Sequence, residues 1–442
     1  MMDKDRDGAG GARLSRRRFL GGAAAVAGTL VLGGAGRAQA ASPLAPALPK
    51  PSKSGIEHVV VVMMENRSFD HFLGWLPGAD GWQEGHVYYD GSGAAHATHR
   101  LTADYQGCGH PDPDHSYAGG RVEYDGGACD GWLRAGANDD YAIGYYARED
   151  LAFLGSAAPG WTACDHYFAA IMAETYPNRI YQHAAQTDRL TNTTALSTLP
   201  TIWDRLAARK RTGRYYFSDM PFLALWGAKY LPISRPFPTF LSDCAAGTLP
   251  DVAFVDPRFV DEGSGTSGDD HPHADIRNGE AFLNLVYTAV TRGPAWPNTV
   301  LVINYDEWGG FYDHVAPGRA PIPPADAAAG NQDGLRGFRV PCLVIAPCAR
   351  RAFVAHGEYD HTSILKMIEW RWNLQPLTVR DANARNLAEV LDFSRPQLSA
   401  PSYPVSPGPF GSPCPSTGLP PQQEDEWSQL RLLAQRYGWP LP

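Results

Sequence analysis

Val59-Val60-Val61-Val62-Met63-Met64-Glu65-Asn66-Arg67-Ser68-Phe69-Asp70-His71-Phe72 is the stretch on which the reading of this chain turns. An apolar run stops abruptly at an acid and an amide. A strand that is apolar at every position is buried on both faces, as in a parallel sheet. Its terminal polar residues then sit at the sheet edge where open α/β folds bind ligands. A second copy of the pattern follows far downstream, Thr299-Val300-Leu301-Val302-Ile303-Asn304-Tyr305-Asp306-Glu307. Val252-Ala253-Phe254-Val255-Asp256 is another strand ending in an acid, and Val340 to Ala346 is a further buried strand between prolines. Helical patterns at Asp139–Leu154, Thr201–Ala208, Gly279–Arg292 and Ile364–Trp372 alternate with these strands. The expected fold is α/β, a mostly parallel sheet with helices on both faces.

The chain has 442 residues, 44% of them apolar, with 12 Trp, which fits a globular protein with a large core. A net charge of −9 argues against nucleic acid as the main partner, because phosphate backbones are bound by basic surfaces. Ser15-Arg16-Arg17-Arg18-Phe19-Leu20 carries the twin-arginine pattern, Phe19 to Gly36 is apolar and small, and Ala38-Gln39-Ala40 offers a cleavage site. Residues 1–40 therefore read as a twin-arginine signal peptide, and a membrane anchor is the competing reading. The stretch is short and Gly/Ala-rich for a span. The expected mature protein is secreted or held in the cell envelope, has the twin-arginine export machinery as a transient partner, and has no stable membrane span.

Residues 41–54 read as a flexible lead-in and 55–395 as one large domain with a loop-rich insertion at about 78–138 that roofs a site. Residues 396–442 read as a Pro/Ser-rich, loosely packed tail that closes in a short helix from Glu424 to Tyr437. The seven cysteines have no zinc-type spacing. In an exported protein some pair; Cys108 with Cys129 and Cys342 with Cys348 are the pairs considered, and an odd count leaves at least one thiol free or intermolecular.

Glu65, Asn66, Asp306 and Glu307 meet at one sheet edge if the two strands are neighbours. Three carboxylates there repel one another unless a cation or protons intervene. Oxygen donors suit calcium, magnesium or manganese; zinc needs nitrogen ligands, which nearby histidines can supply. Thr175-Tyr176-Pro177-Asn178-Arg179 follows an apolar segment, and Pro177 is favoured in the first turn of a helix. Thr175 at that helix start is ordinarily a cap, but beside a metal its hydroxyl becomes a nucleophile and the helix N-terminus a cradle for a phosphoryl oxygen. Asn178 and Arg179 add hydrogen bonds. His115, His271, His273 and His361 lie in acid-rich loops or at a helix start and suit phosphate binding or protonation of a leaving group. His71, His183 and His314 read as structural. The Trp and Tyr residues between Tyr88 and Tyr146 serve either as packing or as a cation–π site.

At this point the sequence resembles a bacterial phosphoesterase family, one that contains phosphatidylcholine-type phospholipases C and a group of acid phosphatases. The resemblance rests on Glu65 to Gly74, Thr175 to Arg179, Tyr305 to Val315 and Asp360-His361-Thr362-Ser363, which lie in the expected order. It implies an alkaline-phosphatase-like core, a divalent metal held by Glu65, Asn66, Asp306 and Glu307, and Thr175 as a nucleophile that forms a phospho-enzyme. His115 and His271 match histidines expected near the phosphoryl group, with Asn178, His273 and His361 as further substrate contacts. Family members often carry His where this chain has Trp308. The resulting expectation is an exported, metal-dependent phosphoric ester hydrolase, of phospholipase C type on a phosphoester or phospholipid substrate. An acid-phosphatase-type phosphomonoesterase and a non-catalytic secreted metal-dependent binding protein are the alternatives.

Overall fold

Strand β1 (His58–Met64) runs through the middle of an eight-stranded sheet, and every side chain from Val59 to Met64 is buried. Each fully buried aliphatic side chain in such a strand stabilises the fold by roughly 1.5–3 kcal/mol. The computed structural model describes residues 47–260, 264–415 and 424–441. The export signal and residues 41–46 of the lead-in lie outside the described residues, while Pro51–Lys53 forms a single 3-10 turn.

In chain order the remaining strands are β2 (Thr162–Cys164), β3 (Gly213–Phe217), β4 (Ser234–Pro236), β5 (Val252–Val255), β6 (Thr299–Tyr305), β7 (Cys342–Ile345) and β8 (Phe353–Ala355). Their order across the sheet is β8-β2-β7-β6-β1-β5-β3-β4. All neighbours pair in parallel except the two partners of β7. This is the expected α/β class. The continuous burial of β1, β5, β6 and β7 means that both faces of the sheet are covered. No helix among the described residues is long and apolar enough to cross a membrane.

Three local expectations fail for identifiable reasons. Asp139–Leu154 is not one helix but two 3-10 turns, Asp140–Ile143 and Arg148–Asp150, with strand residues Gly144–Tyr145 between them. Tertiary partners take the backbone groups a helix would use: Tyr146 N–H donates to the His71 carbonyl, and the Tyr145 carbonyl accepts from Leu101 N–H. The described part of the Pro/Ser-rich segment, residues 396–415, is not loose. Tyr403 hydroxyl accepts from Trp161 Nε1 at 3.0 Å, Tyr287 hydroxyl donates to the Pro401 carbonyl at 2.7 Å, and Trp296 Nε1 donates to the Leu398 carbonyl at 2.8 Å. Proline removes backbone donors, so side chains of the body anchor the segment through its carbonyls instead. The cysteine pairing also differs. Cys108 bonds to Cys414, 306 residues away, whereas Cys129, Cys342 and Cys348 are free. Sequence proximity favoured Cys108 with Cys129, but the packed C-terminal segment delivers Cys414 to the same loop.

The helix Ile276–Arg292 buries Glu280, whose Oε2 accepts the Phe153 and Leu154 N–H groups at 2.5 and 3.0 Å. Burial, reinforced by Asp270, pushes this carboxyl up to about 8. An unfolded glutamate titrates near 4.3, so the folded state bears a cost that grows as pH rises through the interval up to the folded value, and stability falls with it. Glu280→Gln keeps an acceptor for both N–H groups and removes the titration. Its melting temperature is expected to exceed wild type at pH 8.5 and to show no such gain at pH 4.5. An equal offset at both values would overturn the assignment.

Candidate active site

Register creates the site. The β1–β6 pairing sets Met64 opposite Tyr305, so Glu65 and Asp306 leave the sheet side by side. Asp306 N–H donates to the Met64 carbonyl at 3.1 Å, and Asp306 Oδ1 accepts from Asn66 N–H at 3.1 Å and from Glu307 N–H at 2.7 Å. Asn66 holds φ = 57°, a left-handed conformation that asparagine tolerates and that clusters at functional sites. Gly309, at φ = 64°, must be glycine, because a Cβ there would lie 2.2 Å from the Asn66 carbonyl oxygen. Glu65, Asn66, Asp306 and Glu307 are all fully buried.

The helix Thr175–Ala184 brings Thr175 to this edge at its first residue. Thr175 Oγ1 donates to Asn66 Oδ1 at 3.4 Å. Asn178 shapes the approach: its amide accepts from Ile171 N–H and donates to the carbonyls of Ile171 at 3.1 Å and Ala173 at 2.7 Å. The Tyr176 N–H at the helix start is engaged by Asn192 Oδ1 at 2.7 Å, so the N-terminus offers fewer donors to a ligand than expected.

Arg179 lies one turn further on the same face. Its Nε is 3.1 Å from Glu65 Oε1 and 3.2 Å from Asp306 Oδ2, and Nη1 is 3.3 Å from Asp256 Oδ1. Sequence reading passed over Asp256 as a ligand of anything, although its position at the end of an apolar strand was the available signal. Asp112 was also missed; it stands 3.7 Å from His271 Nε2.

The histidines divide into two sets. His115 Nε2 is 3.5 Å from Asn66 Nδ2 and 3.9 Å from Glu307 Oε1, while Nδ1 engages the Pro113 carbonyl at 2.8 Å. Burial alone would lower its pKa, but Glu307 and Asp112 outweigh it and hold the imidazole at about 10. His271 engages the Pro272 carbonyl through Nδ1, and its ring centroid is 6.2 Å from that of His115. His361 turns away from this face: Nε2 donates to the Asp306 carbonyl at 2.7 Å, and burial lowers its pKa to about 4. His273 Nε2 donates to the His110 carbonyl at 3.0 Å and braces a loop. The structure thus gathers Glu65, Asn66, Asp306, Glu307, Thr175, His115 and His271, and sets the side chains of Asn178, His273 and His361 on protein groups around them.

Trp308 points away, donating through Nε1 to Glu123 Oε2 at 2.7 Å and packing against Phe338. Tyr88, Trp132 and Tyr145 belong to the same buried cluster, and Tyr141 and Tyr146 are equally enclosed, so these aromatics serve as packing.

The donor chemistry fits a hard divalent ion. Glu307 Oε1 is buried and accepts no hydrogen bond, and burial, with Asp306 adding to it and His115 opposing it, pushes this carboxyl up to about 8, so a nearby cation would favour its charged form. Asp112, His115 and His271 form an adjacent group with ligand atoms within 4.8 Å of one another. Asp70, Asp313 and His314 form another, but Arg339 already sits among them.

Comparison with known proteins places these residues in context. A family model described as the phosphoesterase family matches residues 56–221 and 214–375. The chain is 28% identical to phospholipase C A of Mycobacterium tuberculosis over 419 residues, covering 78% of both chains. It is 30% identical to phospholipase C B of the same organism over 424 residues, covering 77% of this chain and 78% of that one. Non-specific phospholipase C6 of Arabidopsis thaliana is 28% identical over 389 residues, 79% of this chain and 75% of that one. Among solved structures, a phosphonate monoester hydrolase of Agrobacterium radiobacter aligns over 77% of this chain and 78% of that one, with 11% identity and a TM-score of 0.35.

Proposed function

The chain belongs to the phosphoesterase family and is a hydrolase of phosphoric ester bonds, and from that premise we propose that it is an exported, metal-dependent phosphodiesterase of phospholipase C type with Thr175 as nucleophile. The observation that carries the reading is the Thr175 hydroxyl, hydrogen-bonded to Asn66 at a sheet edge that also carries the buried carboxylates Glu65, Asp306 and Glu307. Export rests on the twin-arginine pattern of the N-terminus, and the lipid-like diester on the names of the relatives.

The protein's own residues carry each step. Asn66 orients the Thr175 hydroxyl, and the helix start holds its Cα in place through the Asn178 clamp on Ile171 and Ala173. Thr175 Oγ gives up its proton to solvent and forms a bond to phosphorus as the bond to the alcohol oxygen breaks. The departing alkoxide takes a proton from His115 or His271, the two imidazoles that face the same space. Water then cleaves the phosphothreonine: its oxygen bonds to phosphorus, a proton it releases restores the imidazolium, and Thr175 Oγ leaves and regains a proton from solvent, freeing the phosphomonoester. Held by Glu65, Asn66, Asp306 and Glu307, a divalent ion would supply Lewis-acid charge that favours the Thr175 alkoxide and offsets charge on the phosphoryl oxygens.

A chromogenic phosphocholine diester, the matching monoester and a chelator control test this reading together. The diester is expected to turn over at least about tenfold faster in kcat/KM, a preference worth roughly 1.4 kcal/mol, with activity lost on chelation and restored by added metal. Preference for the monoester would replace the phospholipase assignment with an acid-phosphatase type, and activity untouched by exhaustive chelation would remove the metal.

A further inference from the structure

Three neighbouring parallel strands each end in a carboxylate: Asp306 after β6, Glu65 after β1 and Asp256 after β5. All three are buried, and side by side in a medium of low dielectric they repel. One group answers all of them. The Arg179 guanidinium, 2% exposed, gives Nε to Glu65 and Asp306 and Nη1 to Asp256, while Nη2 donates to the Met63 and Met64 carbonyls at 3.2 Å each. Phe259 lies 4.5 Å below it and is itself stacked on Trp427 of the helix Glu424–Arg436 at 4.3 Å and 4°. Donors on every edge are committed to the protein and one face is covered by an aromatic ring, so Arg179 is not arranged to receive a substrate phosphate. A planar fork matches three acceptors in this way; a point charge such as lysine does not.

We propose that Arg179 is a resident cation of the active centre, occupying the position between Glu65, Asp306 and Asp256 where a second divalent ion would otherwise bind, so that the centre takes one metal ion. The inference rests on the metal-dependent reading above. It makes Arg179 a positioning residue: it holds Glu65 and Asp306 through one oxygen each and carries Thr175 on the same helix, tying the proposed nucleophile to the proposed ligands. Without it, three uncompensated carboxylates remain at the strand ends, the oxygen-rich setting that recruits a hard divalent ion.

The test is metal stoichiometry after reconstitution with saturating Mn(II) and removal of excess, read by elemental analysis and electron paramagnetic resonance on the full chain. Wild type is expected to hold one equivalent with an uncoupled six-line spectrum. Arg179→Met is expected to hold two equivalents, and Arg179→Lys, which keeps the charge, one. Two equivalents in wild type, or one in Arg179→Met, would overturn the role of Arg179 and leave metal dependence standing. No bound metal in wild type would remove metal dependence and this inference with it. Should Arg179→Met fail to fold, the wild-type spectrum decides: an isolated ion supports the inference, and an exchange-coupled pair overturns it.

Discussion

Replacing Thr175 by alanine is expected to lower kcat for phosphodiester hydrolysis by at least about 1,000-fold, a loss of roughly 4 kcal/mol of transition-state stabilisation. The basis is geometric. Thr175 is the hydroxyl that the helix Thr175–Ala184 presents to Asn66 at the edge of β1. Its own bond to the protein is long, at 3.4 Å, so its removal costs the fold little, about 1 kcal/mol or less. The decisive pattern is therefore lost turnover with an unchanged melting temperature and unchanged metal content. Thr175→Ser, which keeps the hydroxyl, is expected to recover part of the activity, and wild-type serves as the source of a phosphothreonine trapped by acid quench. Retained turnover in Thr175→Ala would end the nucleophile assignment whatever the metal content.

Replacing Arg339 by leucine is expected to produce the largest loss of stability of any single change considered, about 3–5 kcal/mol, because it leaves buried Asp313 without its cation and buried Asp70 with His314 alone. Arg339 is fully buried, with Nε 2.9 Å from Asp313 Oδ1 and Nη2 3.1 Å from Asp70 Oδ1. Nη1 also donates to the carbonyls of Asp80 and Asp165. Asp70 and Asp313 stand in the same two motifs as the metal-binding candidates Glu65 and Asp306, yet their counter-charge is a guanidinium. Urea unfolding of Arg339→Leu alone and combined with Asp70→Asn and Asp313→Asn checks the cause. Partial recovery in the triple variant is expected, since neutral amides are cheaper to bury than unpaired charges, and a triple variant worse than the sum of its parts would sink the explanation.

Much of the core was readable without coordinates. Val59–Met64 and Val300–Ile303 are unbroken apolar runs, buried throughout, and that pattern has few outcomes other than a strand covered on both faces. The end of each run located Glu65, Asn66, Asp306 and Glu307, since a strand that stops being apolar has reached the sheet edge. Thr175 was legible because Pro177 marks a helix start. Irregular segments were not. Asp139–Leu154 carries a helical pattern, but the carbonyl of His71 and the N–H of Leu101 claim its backbone groups, and neither partner is near in sequence. Cys414 was unreadable as the partner of Cys108 for the same reason, with 306 residues between them.

Local chemistry, written in the order of residues, thus determined the strands, their polar ends, the helix that begins at Thr175 and the family to which the chain belongs. Tertiary structure alone decided which charges meet. Hydrogen bonding fixes the register of β1 with β6, and that register sets Glu65 beside Asp306. The adjacency of β5 adds Asp256, and a helix from elsewhere in the chain lowers Arg179 among all three. Burial then makes the pairing matter, because charges removed from water act strongly on one another only across the few ångströms that folding sets.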